Sequence, residues 1–237
     1  MSVLRFSISY LSSSHFWLLL VLALLHLCFS DQKSGDVLCM DGERRALMRF
    51  KHGLIDEADR LASWVGETSD CCRWAGIVCD NITGHVHQIH LPGPDGHCDG
   101  MYFLSKEEEK EGLKQMLGGH LSPSLLELKQ LKYLDLSCNN FKQIQIPSFI
   151  GSLRNLRRLN LSRSNFGGMN PPQIGNISEL RVLSLGDLYG TTMSMMKMQW
   201  LSSLRWLHHL DMRGIDLSKA IDWFVFLSTL GYTSPCS

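Results

Sequence analysis

Chemistry in this chain could reside in its cysteines, its histidines or its asparagine sequons. Cys39, Cys71, Cys72 and Cys79 lie close in sequence and suit either disulfides or tetrahedral zinc. Zinc sites favour a paired C-x-x-C, which this spacing lacks. Adjacent cysteines cannot readily bond each other, so Cys71 and Cys72 need separate partners. Cys39–Cys71 with Cys72–Cys79 is the favoured order, the longer loop contributing about 4 kcal/mol and the shorter about 2.5 kcal/mol in the chain-entropy picture. Cys98, Cys138 and Cys236 have no assigned partner, and Cys138, following Ser137, is a candidate free thiol. His85, His87 and His90 are close in sequence, but on a strand His85 and His87 share one face and His90 takes the other, so no metal site is expected. No G-x-S-x-G elbow, phosphate loop or kinase motif occurs, and no cofactor or enzymatic activity is expected. Three N-x-S/T sequons at Asn81, Asn160 and Asn176 are candidate glycosylation sites.

These groups sit on recognisable elements. Phe16 to Phe29 is an apolar run, and the small residues Cys28 and Ser30 stand at the −3 and −1 positions of a cut before Asp31, which reads as a secretory signal over residues 1–30. Eight cysteines agree with an oxidising compartment. Residues 31–84 read as a separate cap. Ala46, Leu47 and Phe50 fall on one helical face, Gly53 is a plausible stop, and Trp64 and Trp74 supply further apolar bulk. The 23 basic and 23 acidic residues balance, so nothing points to nucleic acid.

Beyond the cap the run Leu128-Lys-Gln-Leu131-Lys-Tyr-Leu134-Asp-Leu136-Ser-Cys-Asn139-Asn-Phe141 reads L-x-x-L-x-x-L-x-L-x-x-N-x-F. The register returns at Leu153-Leu156-Leu159-Leu161, Ile177-Leu180-Leu183-Leu185 and Leu204-Leu207-Leu210-Met212. A fixed period of this size is that of a leucine-rich-repeat solenoid, in which stacked units share one core. The fold class is therefore α/β, a leucine-rich-repeat solenoid with an N-terminal disulfide-bonded helical cap. Residues 85–230 hold about five units, the first carrying an insert at 92–118, and 231–237 form an irregular tail. The insert reads as a surface loop with a short solvated helix near Lys106–Glu111. Within each L-x-L the leucines point inward and the intervening residues face the concave side. One exposed row is His90, Asp135, Asn160, Ser184 and Asp211, and its neighbour is Gln88, Tyr133, Arg158, Val182 and His209. Together they form the candidate concave binding face. Asn139 holds the place of a turn-satisfying amide, and Ser164, Leu188 and Ile215 replace it in later units. The Met193 to Met198 cluster reads as irregular packing.

The cap resembles the N-terminal domain of plant extracellular leucine-rich-repeat proteins, and the repeats resemble those of plant receptor-like proteins of the disease-resistance kind. Gly84-His-Val86, Leu134-Asp-Leu-Ser-Cys-Asn-Asn-Phe141 and Pro171-Pro-Gln-Ile-Gly-Asn-Ile-Ser178 carry the likeness. The resemblance implies extracellular recognition of a peptide or protein ligand in defence or developmental signalling, with a receptor-kinase partner. It also implies further repeats, a membrane helix and a short tail beyond this stretch, so the chain reads as truncated, with an open end after Trp223. The alternative is a secreted inhibitor of a cell-wall-degrading enzyme, similar to the polygalacturonase inhibitors. Localisation would be the secretory pathway and the apoplast, or the plasma membrane in a longer form.

Overall fold

Each repeat has too few apolar residues to bury its own face, so the chain coils and stacks. The computed structural model describes residues 38–66, 69–94, 105–168, 172–186, 197–218, 220 and 222. The signal segment, Cys98, Cys236, Leu188 and Met193 to Met196 lie outside the described residues, as does the stretch from Trp223 onward.

Helix α1 (Asp41–Gly53) follows Cys39, with Asp41 and Glu43 in its first turn and Lys51 and His52 in its last, charges that suit the helix dipole. Ala46, Leu47 and Phe50 are fully buried. Two leucine- or phenylalanine-sized side chains withdrawn from water contribute about 1.5–3 kcal/mol each. Trp64 stacks on Trp74 with ring centroids 5.4 Å apart and tilts against Phe50 at 6.4 Å. The disulfides are Cys39–Cys71 and Cys72–Cys79, each with Cα atoms 5.4 Å apart.

Strand β1 (Leu54–Ile55) leaves the helix and pairs antiparallel with β4 (Gly118–Gly119). Strand β2 (Ile77–Cys79) pairs antiparallel with β3 (Val86–His90) and closes the first edge of the concave sheet. From β3 the sheet continues in parallel through β5 (Tyr133–Asp135), β6 (Arg158–Asn160), β7 (Val182–Ser184) and β8 (His209–Asp211). On the opposite side of each coil runs a five-residue 3-10 segment, Pro123–Glu127, Ser148–Ser152, Pro172–Asn176 and Gln199–Ser203. Successive segments come so close that a Cβ on Gly175 would lie 2.8 Å from the Trp200 carbonyl oxygen. Leu134, Leu159, Leu183, Leu125, Ile150 and Ile174 are fully buried between the two sides. Phe141 and Phe166 stack at 4.5 Å, linking consecutive turns.

The insert differs in part from a plain surface loop. Helix α2 (Lys106–Lys114) carries a capping box in which Ser105 accepts from the Glu108 N–H and Glu108 accepts from the Ser105 N–H. After it, Met116 and Leu117 are buried and Gly118–Gly119 joins the cap through β1. The end of the insert is thus core, because its apolar residues have the cap to pack on. Since β3 pairs directly with β5, the insert lengthens one repeat and adds no strand to the concave sheet.

Cys138 corrects an expectation. It is disulfide-bonded and not a free thiol, with its partner outside the described residues. It is 6% exposed, with φ of 58°. The first residues of the insert press on it, Gly93 N–H donating to the Ser137 carbonyl at 2.7 Å. A linear pattern shows neither that turn nor that contact.

Candidate recognition surface

The inner row forms in register: His90 lies beside Asp135, Asp135 beside Asn160, Asn160 beside Ser184 and Ser184 beside Asp211. Its polar atoms are largely committed to the chain itself. Asp135 Oδ1 accepts from Ser137 N–H at 2.9 Å and from Ser137 Oγ at 2.7 Å. Asn160 Oδ1 accepts from Ser162 N–H at 3.2 Å and Oγ at 2.7 Å. Asp211 Oδ1 accepts from Arg213 N–H at 3.1 Å, and the Arg213 guanidinium holds the Asp211 carboxyl below its usual range. These side-chain bonds close the turn that leaves each strand. Asp135 is only 4% exposed.

The outer row is more open. Gln88, Arg158 and His209 are exposed, while Tyr133 and Val182 are half-buried. Tyr133 OH donates to Asp135 Oδ2 at 2.9 Å, and its ring stacks on His90 at 5.8 Å. His90 Nδ1 lies 3.2 Å from the same carboxylate oxygen. Burial, then the bond to Asp135, pushes the Tyr133 phenol up to about 12. Tyr133 therefore presents a fixed ring edge and not an acid.

A third column, missed in the sequence, flanks the outer row: His87, Lys132, Arg157, Arg181 and His208. The Lys132 N–H donates to the His87 carbonyl at 2.8 Å, Arg157 to Lys132 at 2.7 Å, Arg181 to Arg157 at 2.8 Å and His208 to Arg181 at 3.0 Å. The signal was present, because each residue directly follows an inward anchor: Val86, Leu131, Leu156, Leu180 or Leu207. Lys132 Nζ lies 3.3 Å from His87 Nε2. Burial, then Lys132, holds His87 below the ordinary imidazole value, opposed by Asp80 and Glu43.

The three early histidines diverge. His85 Nδ1 lies 3.0 Å from the buried Glu43, whose other oxygen accepts the Val86 N–H at 2.7 Å. His87 approaches Asp80 at 3.7 Å and His90 turns to Asp135. The Cys39, Cys71 and Cys72 sulfurs come together, but each is in a disulfide and has no thiolate to offer a metal.

Asn139 occupies its expected place, and its partners extend further than the repeat pattern indicates. Its Nδ2 faces the carbonyl oxygens of Leu91, Leu136 and Ser137 at 2.8, 2.9 and 3.1 Å. Its Oδ1 accepts from Leu117 N–H at 2.9 Å and from Arg60 at 3.1 Å. Arg60 also donates to the Pro92 carbonyl, so a guanidinium of the cap closes the near side of Asn139. Burial lowers the Arg60 pKa, although Asp56 pulls it up. Ser164 donates to Leu136 and Ser162 carbonyls at 2.6 and 3.1 Å, and Ile215 is buried. Of the sequons, Asn81 and Asn176 are exposed, while Asn160 is half-buried and tied to Ser162.

A capped solenoid with an open parallel sheet is the architecture of a leucine-rich-repeat protein. Residues 40–80 match the leucine rich repeat N-terminal domain and residues 129–187 the leucine rich repeat. Receptor-like protein EIX1 of Solanum lycopersicum is 41% identical over 87% of this chain and 19% of its own length. Receptor-like protein EIX2 of the same plant is 42% identical over 67% of this chain and 15% of its own. Among solved structures, the BIR3–SERK2 complex of Arabidopsis thaliana superimposes with a TM-score of 0.57 at 28% identity, over 73% of this chain and 81% of the matched one. The BIR2 ectodomain of the same plant gives 0.54 at 22% identity, over 74% and 80%, a likeness of fold. The chain belongs to the leucine-rich-repeat proteins, and its curated relatives are plant receptor-like proteins. It spans less than a fifth of the length of the two tomato relatives. Among the described residues, no helix is long and apolar enough to cross a membrane.

Proposed function

We propose that this chain is an extracellular recognition segment of a plant receptor-like protein, acting in defence or developmental signalling. It binds a peptide or protein ligand across the parallel sheet and catalyses no reaction. The observation that carries this reading is the sheet: five parallel strands in unbroken register carry an outer row in which Gln88, Arg158 and His209 are exposed. Solenoid faces of this shape provide extended binding surfaces. A receptor-kinase partner would transmit the signal, as the likeness to receptor-like proteins implies. The relatives are receptor-like proteins, which favours this reading over the secreted inhibitor.

A glycan wedge tests it. Val182→Asn produces an N-L-S sequon with Leu183 and Ser184 at the fourth of the five outer-row positions. Peptides retained from extracellular fluid by the immobilised wild-type chain should be lost from the variant once its glycan is confirmed by mass. Equal retention by both would place binding elsewhere and refute the reading.

A further inference from the structure

The chain is neutral overall, yet its cations are not evenly spread. The four segments that lead into and enter the repeat strands, residues 128–134, 153–159, 177–183 and 204–210, hold seven Lys and Arg against one Glu. Within them Lys132, Arg157 and Arg181 stand on successive rungs of the backbone ladder, with His87 and His208 at its ends. Arg158 lies beside Arg157 in the outer row. Arg157, Arg158 and Arg181 are exposed and form no ion pair among the described residues. The carboxylates nearest in the sheet form no ion pair with them: Asp211 is paired with Arg213, and Asp135 faces Ser137, Tyr133 and His90. Like charges on adjacent strands destabilise a sheet. A chain that keeps these three arginines without ion pairs among its described residues has a surface on which an anion would relieve that repulsion.

We infer that this ladder takes an acidic peptide segment, lying along the solenoid axis and across the strands. The inference rests on the sheet being the recognition surface. Five rungs about 4.8 Å apart span about 19 Å, the length of about six extended residues. A uniform polyanion would be matched by uniform rungs. Here the parallel outer row alternates in kind, with an amide at Gln88, a fixed ring at Tyr133, a guanidinium at Arg158, an apolar group at Val182 and an imidazole at His209. Trp206, 60% exposed, stands two residues before His208 at the far end of the ladder. Mixed rungs of this kind suit a heteropolymer whose side chains differ, carboxylates on the ladder and other groups on the row. Guanidinium groups also bind carboxylates in bidentate fashion.

The test uses the full secreted chain and fluorescence anisotropy. The probe is a labelled octapeptide alternating Asp with Leu, Tyr and Gly; its Asn counterpart and an oligogalacturonate of equal charge are the comparisons. The acidic peptide should bind, and binding should weaken as salt screens the charges. The triple variant Arg157→Gln, Arg158→Gln, Arg181→Gln should weaken it about tenfold or more. Removing three cations elsewhere, Arg45→Gln, Lys110→Gln, Lys142→Gln, should leave it within about twofold, and the same three ladder arginines changed to Lys should retain most of it. Equal loss in both Gln triples would reduce the effect to net charge and overturn the proposal. No binding of the acidic peptide would do the same, as would tighter binding of the oligogalacturonate. If the Val182→Asn glycan abolishes binding of natural peptides but the ladder triple does not, the ladder inference fails while the surface reading stands. If neither change affects binding, both fail.

Discussion

Replacing Asn139 with Ala should destabilise the array more than any other polar change in the repeats. Asn139 is 1% exposed and is held between the cap, the insert and two repeats. Not all of its bonds are lost without replacement. The Ser137 carbonyl keeps the Gly93 N–H and the Leu136 carbonyl keeps the Ser164 hydroxyl. The Leu91 carbonyl and the Leu117 N–H have no other partner among the described residues. Two buried groups left unsatisfied at about 1–3 kcal/mol each give a loss of roughly 2–6 kcal/mol. Ser164→Ala should cost only about 1 kcal/mol, because Leu136 is still held by Asn139 and Ser162 by the Cys138 N–H. In the double variant the Leu136 carbonyl loses both donors, so the combined loss should exceed the sum by about 1 kcal/mol or more. Urea unfolding followed by the fluorescence of buried Trp64 and Trp74 measures all three. An Asn139→Ala variant within about 1 kcal/mol of wild type, or strictly additive losses, would refute this account of Asn139 and Ser164.

Cys72→Ser should cost roughly 2–5 kcal/mol and reduce secretion, since Cys72–Cys79 fixes the turn that starts the antiparallel edge; unchanged yield and melting temperature would contradict it. Glycan mapping should find Asn81 and Asn176 occupied and Asn160 largely bare, because Asn160 is committed to Ser162, and full occupancy at Asn160 would count against the sheet as a binding face. His87 should titrate below an ordinary imidazole in an NMR pH series, and Lys132→Gln should raise it without fully restoring it, because burial is the larger cause. The sign follows: the unfolded chain takes up this proton first, so the His87 contribution to stability is complete above the ordinary imidazole value. It declines as pH falls below that value, and a folded-state value above it would reverse the prediction.

The parallel sheet was legible because a slip of one residue would exchange core and surface along every strand. Leu134, Leu159 and Leu183 therefore determine both rows, and Ala46, Leu47 and Phe50 determine the buried face of α1 by the same reasoning. What was hidden depends on distant approach. The bond from Val86 N–H to Glu43 crosses 43 residues, and that from Arg60 to Asn139 crosses 79. Local periodicity carries no information about such pairs. The pairing of Leu54–Ile55 with Gly118–Gly119 is hidden for the same reason. The Ser105–Glu108 capping box and the basic ladder were readable in principle. The first is a short motif with a definite hydrogen-bond pattern. The second lies one residue outside the L-x-L alternation, where only stacking reveals that Lys132, Arg157 and Arg181 are neighbours.

That stacking separates two tasks which the alternation alone would merge. The alternation points both rows away from the core, and so both look equally available to a ligand. The hydrogen bonds distinguish them. Asp135, Asn160 and Asp211 each turn an oxygen back to the N–H two residues on, closing a sharp bend with a side chain. An Asp or Asn at that place is explained by the turn, whatever the ligand. Among the described residues, Gln88, Arg158, Val182 and His209 make no side-chain hydrogen bond of this kind, and neither do Arg157 and Arg181. Variation in what this chain recognises should therefore be sought in the outer row and the ladder. Changes in the inner row should act first on the stability of the coil.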